Sequence, residues 1–118
     1  MTAFNIIQLS EFDTTQKIIE SLSNVCTRAV LFSILGESKD ATMIAEEIKI
    51  SLSTVYKSLS MLEDLALVEV NRFIISPEGK KIKQYRSRIS KVEITLDGSK
   101  PSLNLYPNAK LVQSRDSA

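Results

Sequence analysis

Residues 42–70, TMIAEEIKISLSTVYKSLSMLEDLALVEV, decide the fold, because the spacing of their apolar side chains changes twice. Thr42 is placed to cap a short helix that presents Ile44, Ala45 and Ile48 on one side. Lys49-Ile50-Ser51 interrupts that spacing, and Ser51 or Ser53 then caps a second helix, residues 52–65, with Val55, Leu59, Leu62 and Leu65 as its buried stripe. Two short helices across a tight turn, the second polar on its outer side, make a helix-turn-helix unit. Leu67–Val70 and Phe73–Ile75 are rich in β-forming side chains and flank Asn71-Arg72, so a small hairpin, a wing, is expected to follow with its tip at these two residues.

Upstream, Asp13 or Thr14 caps a helical run carrying Ile18, Ile19, Leu22, Cys26, Val30, Leu31, Ile34 and Leu35. Ser23-Asn24 divides the run in two and Gly36 is the expected stop. Phe4, Ile6 and Leu9 mark a short opening strand. Downstream, Ser76-Pro77-Glu78 reads as a cap, a first-position proline and an acid at the positive helix end, opening a helix to Ile89 with Ile82, Tyr85 and Ile89 on one side. Val92, Ile94 and Leu96, a turn at Asp97-Gly98-Ser99, then Leu103 and Leu105 form a second hairpin. The expected fold is therefore α+β and mainly helical: a winged helix-turn-helix with an added C-terminal helix and β-hairpin. Its segments are 1–13 (N-terminal), 14–76 (winged helix-turn-helix), 77–107 (helix and hairpin of the same domain) and 108–118 (a flexible tail).

Composition bounds the chemistry. The 118 residues, 43% hydrophobic and 25% charged, suit one soluble domain. There is one cysteine, Cys26, and no histidine, which removes an intramolecular disulfide, zinc-finger spacing and the commonest general base. No glycine-rich phosphate loop or spaced carboxylate pair stands out, so no catalytic residue, metal site or cofactor is expected. The apolar runs are far shorter than a membrane span. Met1–Leu9 has no basic residue ahead of its apolar stretch, so a secretory signal is not expected and the reducing cytoplasm is.

Charge is balanced overall but not locally. Residues 1–71 hold five basic and ten acidic groups, whereas residues 72–91 hold seven basic groups and one acidic group. Such a block suits either a phosphate backbone or a solvated surface paired with the acidic part. On the second helix, Ser53, Thr54, Lys57, Ser60 and Met61 fall away from the apolar stripe. Their lengths suit a major groove: hydroxyls at a helix start bind phosphate or base edges, and Lys57 reaches a guanine or a phosphate. Periodicity alone weighs this evenly against an exposed, merely soluble face.

The ordered segments resemble the winged helix-turn-helix of ArsR-type transcription regulators, especially small archaeal members. Leu22-Ser23-Asn24 with Thr27-Arg28 is similar to the family's first core helix, with one extra residue here in the usual spacing between the pairs. Ala45-Glu46-Glu47-Ile48, Ile50-Ser51, Ser53-Thr54-Val55-Tyr56 and Leu59 resemble its positioning and recognition helices. Leu62-Glu63-Asp64-Leu65-Ala66-Leu67-Val68 resembles the exit into the wing. The resemblance, over residues 22–79, implies a transcription regulator that binds double-stranded DNA through Ser51, Ser53, Thr54, Tyr56, Lys57 and Ser60, with Arg72 at the wing tip on a phosphate or in a minor groove. It also implies a homodimer on paired half-sites, and Ile82, Tyr85 and Ile89 are then read as a dimer seam in preference to core. Lys80, Lys81, Lys83, Arg86, Arg88 and Lys91 would add affinity without sequence choice. Lys49 stands where the family has glycine, so it is either left-handed or the turn differs. Metal sensing is not carried over, because Cys26 reads as a core residue. The alternative is a winged-helix adaptor for a protein partner.

Overall fold

The computed structural model describes residues 14–98 and 100–109. The expected opening strand at Phe4, Ile6 and Leu9 lies outside the described residues, as do residues 110–118 of the expected tail. The described chain is α+β, with four helices and two antiparallel hairpins. The helices are α1 (14–23), α2 (Val25–Ser33), α3 (Ala41–Ile48) and α4 (Leu52–Asp64). The strands are β1 (Val68–Ile75), β2 (Lys81–Ser87), β3 (Ile89–Asp97) and β4 (Lys100–Pro107).

The division of the first helical run falls where expected. The Asn24 carboxamide oxygen accepts from the backbone N–H groups of Cys26 and Thr27 at 2.9 and 3.1 Å, which caps α2 and breaks it from α1. Gly36 is not the stop. α2 ends at Ser33, whose carbonyl accepts from the Lys39 ammonium at 2.7 Å, a cation placed on the negative helix end. α3 is capped two residues earlier than expected: the Asp40 carboxylate, not Thr42, accepts from Met43 N–H at 2.9 Å. The helix-helix turn keeps its left-handed geometry without glycine, with Lys49 at φ 59° and ψ 49°. Ser51 caps α4 by accepting from Thr54 N–H at 3.2 Å.

The core is shared by the four helices, α1 supplying Ile18 and Leu22, and the strands that leave them. Val30, Leu31, Ile34, Ile44, Val55, Leu59 and Leu62 are at most 1% exposed, and Leu67, Val68, Tyr85 and Ile89 close the cluster. Each such aliphatic side chain contributes about 1.5–3 kcal/mol on leaving water. Tyr85 and Ile89 are therefore core, which overturns their expected role as a dimer seam with Ile82.

The expected C-terminal helix is absent, and the wing is correspondingly larger. β1 runs unbroken through Asn71-Arg72 and pairs with β2, the segment read as helix, from Val68 opposite Ser87 to Ile75 opposite Lys81. Two signals were ambiguous. Ser76-Pro77-Glu78-Gly79 fits a β-turn as well as a helix start: Gly79 N–H reaches Ser76 C=O at 2.8 Å, with Gly79 at φ 84°. The turn-forming Asn71 sits at a β-bulge, and its side chain donates to Ser38 Oγ at 2.6 Å. The wing tip is thus Ser76–Lys80, not Asn71-Arg72.

The second hairpin forms as expected, with β3 against β4. The tail does not begin at residue 108. Asn108 is buried, and its amide donates to the carbonyls of Leu35 at 3.0 Å and Ser87 at 2.9 Å, clamping the end of β4 to the exits of α2 and β2.

Candidate nucleic-acid interface

α4 divides cleanly along its length. Val55, Ser58, Leu59 and Leu62 face inward and are buried. Ser53, Tyr56, Lys57 and Ser60 repeat the same spacing outward, one above the other on a single exposed stripe. Tyr56 is 53% exposed, and Leu52 and Met61 flank the stripe. At the helix start Ser51 Oγ lies 3.2 Å from Ser53 Oγ and 2.8 Å from Thr54 Oγ1, which gathers three hydroxyls at the positive end of the helix. Thr54 is half-buried, at the root of the stripe. Among the described residues nothing covers this face.

Beside it lies an open groove of about 850 Å³, bounded by the first turn of α3 (Asp40–Met43), Tyr56 of α4, the wing tip Ser76–Glu78, and Lys80, Lys81, Lys83 and Tyr85 of the wing. Lys81 and Lys83 share a strand face with Tyr85, because alternate residues of β2 point the same way. Burial first, and then the carboxylate of Glu63, hold the Tyr85 hydroxyl above the ordinary tyrosine range, so it stays neutral at the back of the groove. Lys81 Nζ lies 5.1 Å from the centre of the Phe73 ring, an attraction that steadies the ammonium on the wing surface.

The structure separates the basic block into parts with different uses. Lys80, Lys81 and Lys83 border the groove with their side chains exposed. Arg86 is buried and donates through Nη2 to the Gly36 carbonyl at 3.1 Å, tying the wing to the turn after α2. Arg88 lies 3.7 Å from Glu69, and Lys91 lies 3.6 Å from Glu93 on the second hairpin. Arg72 is exposed but not at a tip: it sits in mid-strand, its Nε donating to Gln84 Oε1 at 2.6 Å. Of the seven residues expected at an interface, Ser53, Thr54, Tyr56, Lys57 and Ser60 are brought together on α4 with Ser51 at its cap, and Arg72 is carried away to the wing. The first turn of α3, with Thr42 and Met43, borders the groove and was missed, since Thr42 was read only as a cap.

Neither a protein-family model nor a curated protein matches the chain. Among solved structures, the Vibrio cholerae ferric uptake regulator, a protein with DNA-binding domains, is similar at 12% identity and a TM-score of 0.42, over 80% of this chain and 75% of that one. The Campylobacter jejuni peroxide stress regulator is similar at 21% identity and a TM-score of 0.37, over 99% of this chain and 82% of that one. Both are regulators by name, and neither is named as an ArsR-type protein.

Proposed function

We propose that this chain is a non-enzymatic transcription regulator that binds double-stranded DNA. α4 enters the major groove, presenting Ser53, Tyr56, Lys57 and Ser60 to base edges, while Ser51 and Thr54 at its start and the wing lysines hold phosphates. The observation that carries this reading is the uncovered polar stripe of α4 standing beside a cleft edged by Lys80, Lys81 and Lys83. A helix needs such an outward face to enter a groove, and cations to its side can meet the flanking backbone. Arg72 serves the wing from mid-strand. As a homodimer the protein would place two α4 helices on half-sites one helical turn apart.

Affinity measured against salt tests the proposal. A dimer neutralising about six phosphates gives a slope of log affinity on log salt of about −5. Lys57→Ala weakens binding to a selected site more than to random duplex, whereas Lys80→Ala with Lys81→Ala lowers both alike. Salt-independent binding, or equal effects of the two changes on both kinds of DNA, would overturn the assignment. One observation favours a second reading, an adaptor for a protein partner: Phe73 and Ile75 are exposed on the wing. No binding to random duplex at low salt, with stoichiometric recovery of a protein partner, would select it.

A further inference from the structure

β3 pairs only with β4 among the described residues, and residues 90–97 send no backbone hydrogen bond to any other element. Among the described residues the outer edge of β3 is an open row of donors and acceptors, the kind of edge that recruits another strand. The hairpin is also sharply two-faced. Val92, Ile94 and Leu96 stand opposite Leu105, Leu103 and Pro101, while Lys91, Glu93, Thr95 and Asp97 stand opposite Tyr106, Asn104, Ser102 and Lys100. Only the base of the apolar side packs on the core, through Val92 and Leu103. Leu96 is 77% exposed, and Ile94 and Leu105 are at least 40% exposed. A two-stranded ribbon with this much apolar surface in water is marginal until further strands or another surface cover it.

We infer that the missing cover is a second copy of the chain, paired antiparallel along β3 about a two-fold axis at Ile94, so that two hairpins become one four-stranded sheet. The sequence of β3 selects the occupant, because it complements itself. With the axis at Ile94, Lys91 stands opposite Asp97 of the second copy, Val92 opposite its Leu96, Glu93 opposite its Thr95 and Ile94 opposite its own counterpart. Every apolar residue meets an apolar one, and both outer pairs are of opposite charge. Moving the axis to Glu93 sets that carboxylate against itself, and moving it to Thr95 sets Glu93 against Asp97. An odd shift puts apolar against polar throughout. β4 offers no equivalent, since Pro101 and Pro107 lack donors and no acid lies along it to meet Lys100.

The surface beneath fits the same arrangement. A hollow of about 340 Å³ is lined by Leu22, Ser23, Arg28 and Phe32 of the helices and, from the hairpin, by Val92 and Ile94 of β3 alone. The added strand carries its Leu96 to a position beside Val92, at this hollow. The most exposed large apolar side chain of one copy thereby meets an apolar recess of the other.

This assignment gives the homodimer of the proposed function its seam without requiring DNA, so sedimentation without DNA tests it apart from DNA binding. The unmodified chain should be dimeric at high micromolar concentration. Lys91→Glu and Asp97→Lys should each raise the dimer dissociation constant at least about tenfold, since each turns both outer pairs from attractive to repulsive. Mixing these two variants should restore dimers, because every outer pair is then of opposite sign. Leu96→Asp should leave monomers that retain the native circular dichroism spectrum, the change lying at an exposed site. A wild-type monomer, a dimer indifferent to the single variants, or a mixture that fails to re-pair would each overturn the proposal.

Discussion

Lys49 holds the bend between α3 and α4 in a backbone conformation that side chains with a Cβ adopt at a cost. Its N–H caps α3 on the Ala45 carbonyl, and Ile50 N–H reaches the same carbonyl at 3.3 Å, so the turn is completed despite the strain. Lys49→Gly should therefore stabilise the protein by about 1 kcal/mol, the relieved clash outweighing the added freedom of the unfolded chain. A higher urea midpoint at unchanged slope is the readout. At the second hairpin the Tyr106 hydroxyl donates to Glu93. That bond first, and the Lys91 ammonium second, hold the Glu93 carboxyl below its ordinary range, while Glu93 holds the Tyr106 hydroxyl above its own. The sign follows by linkage: the contribution is complete at pH values above the ordinary glutamate pKa and below the ordinary tyrosine pKa. It fades as pH falls through the lowered carboxyl value, or rises through the tyrosine range. Tyr106→Phe should return the Glu93 titration upward, read from its carboxyl carbon resonance; an unmoved titration would show that Tyr106 is not the cause.

Among the elements, legibility followed how many physical solutions the local sequence allowed. α4 was readable from its residues because the inward and outward stripes have one periodicity and no competitor; five of the seven residues expected at an interface lie on it and Ser51 caps it. β2 was misread because Ile82, Tyr85 and Ile89 fit a helical repeat as well as a strand that alternates Lys81, Lys83 and Tyr85 against Ile82, Gln84 and Arg86. The choice was made at a distance: β1 presents an edge that β2 completes, and no spacing within residues 76–89 reports that edge. Arg72 was misplaced for the same reason, since a turn-forming Asn71 marks a bulge in a long strand as readily as the tip of a short hairpin. The division of labour expected between Lys57 and the wing lysines belongs to this scale. It depends on the helix and the strand meeting different parts of a duplex, and not on the strength of any one contact.

At the scale of the whole molecule, one side chain joins the two hairpins to the helical unit. Asn108 donates to carbonyls of the α2 exit and the β2 end, and its own N–H meets the Arg88 carbonyl at 2.9 Å. Nothing in the polar sequence beyond Pro107 distinguishes it from an exposed asparagine, because its partners lie 73 and 21 residues away. Asn108→Ala should lower stability by about 1–3 kcal/mol, since two carbonyls lose a buried donor. Chemical denaturation measures the loss, and amide exchange should quicken first in β3 and β4 if Asn108 is what moors them. The bulge at Asn71 has a reach of similar extent. By adding one residue to β1 it sets the phase of the outer wing, so that Phe73 pairs with Lys83, and Arg72 pairs with Gln84 on the opposite side. Deleting that single amino acid would leave these pairs as they are, because Val70 already pairs with Tyr85 and Arg72 with Gln84; what would vanish is the kink and the carboxamide that reaches Ser38. One codon therefore decides whether the wing is tethered to the loop ahead of α3 or swings from its root alone.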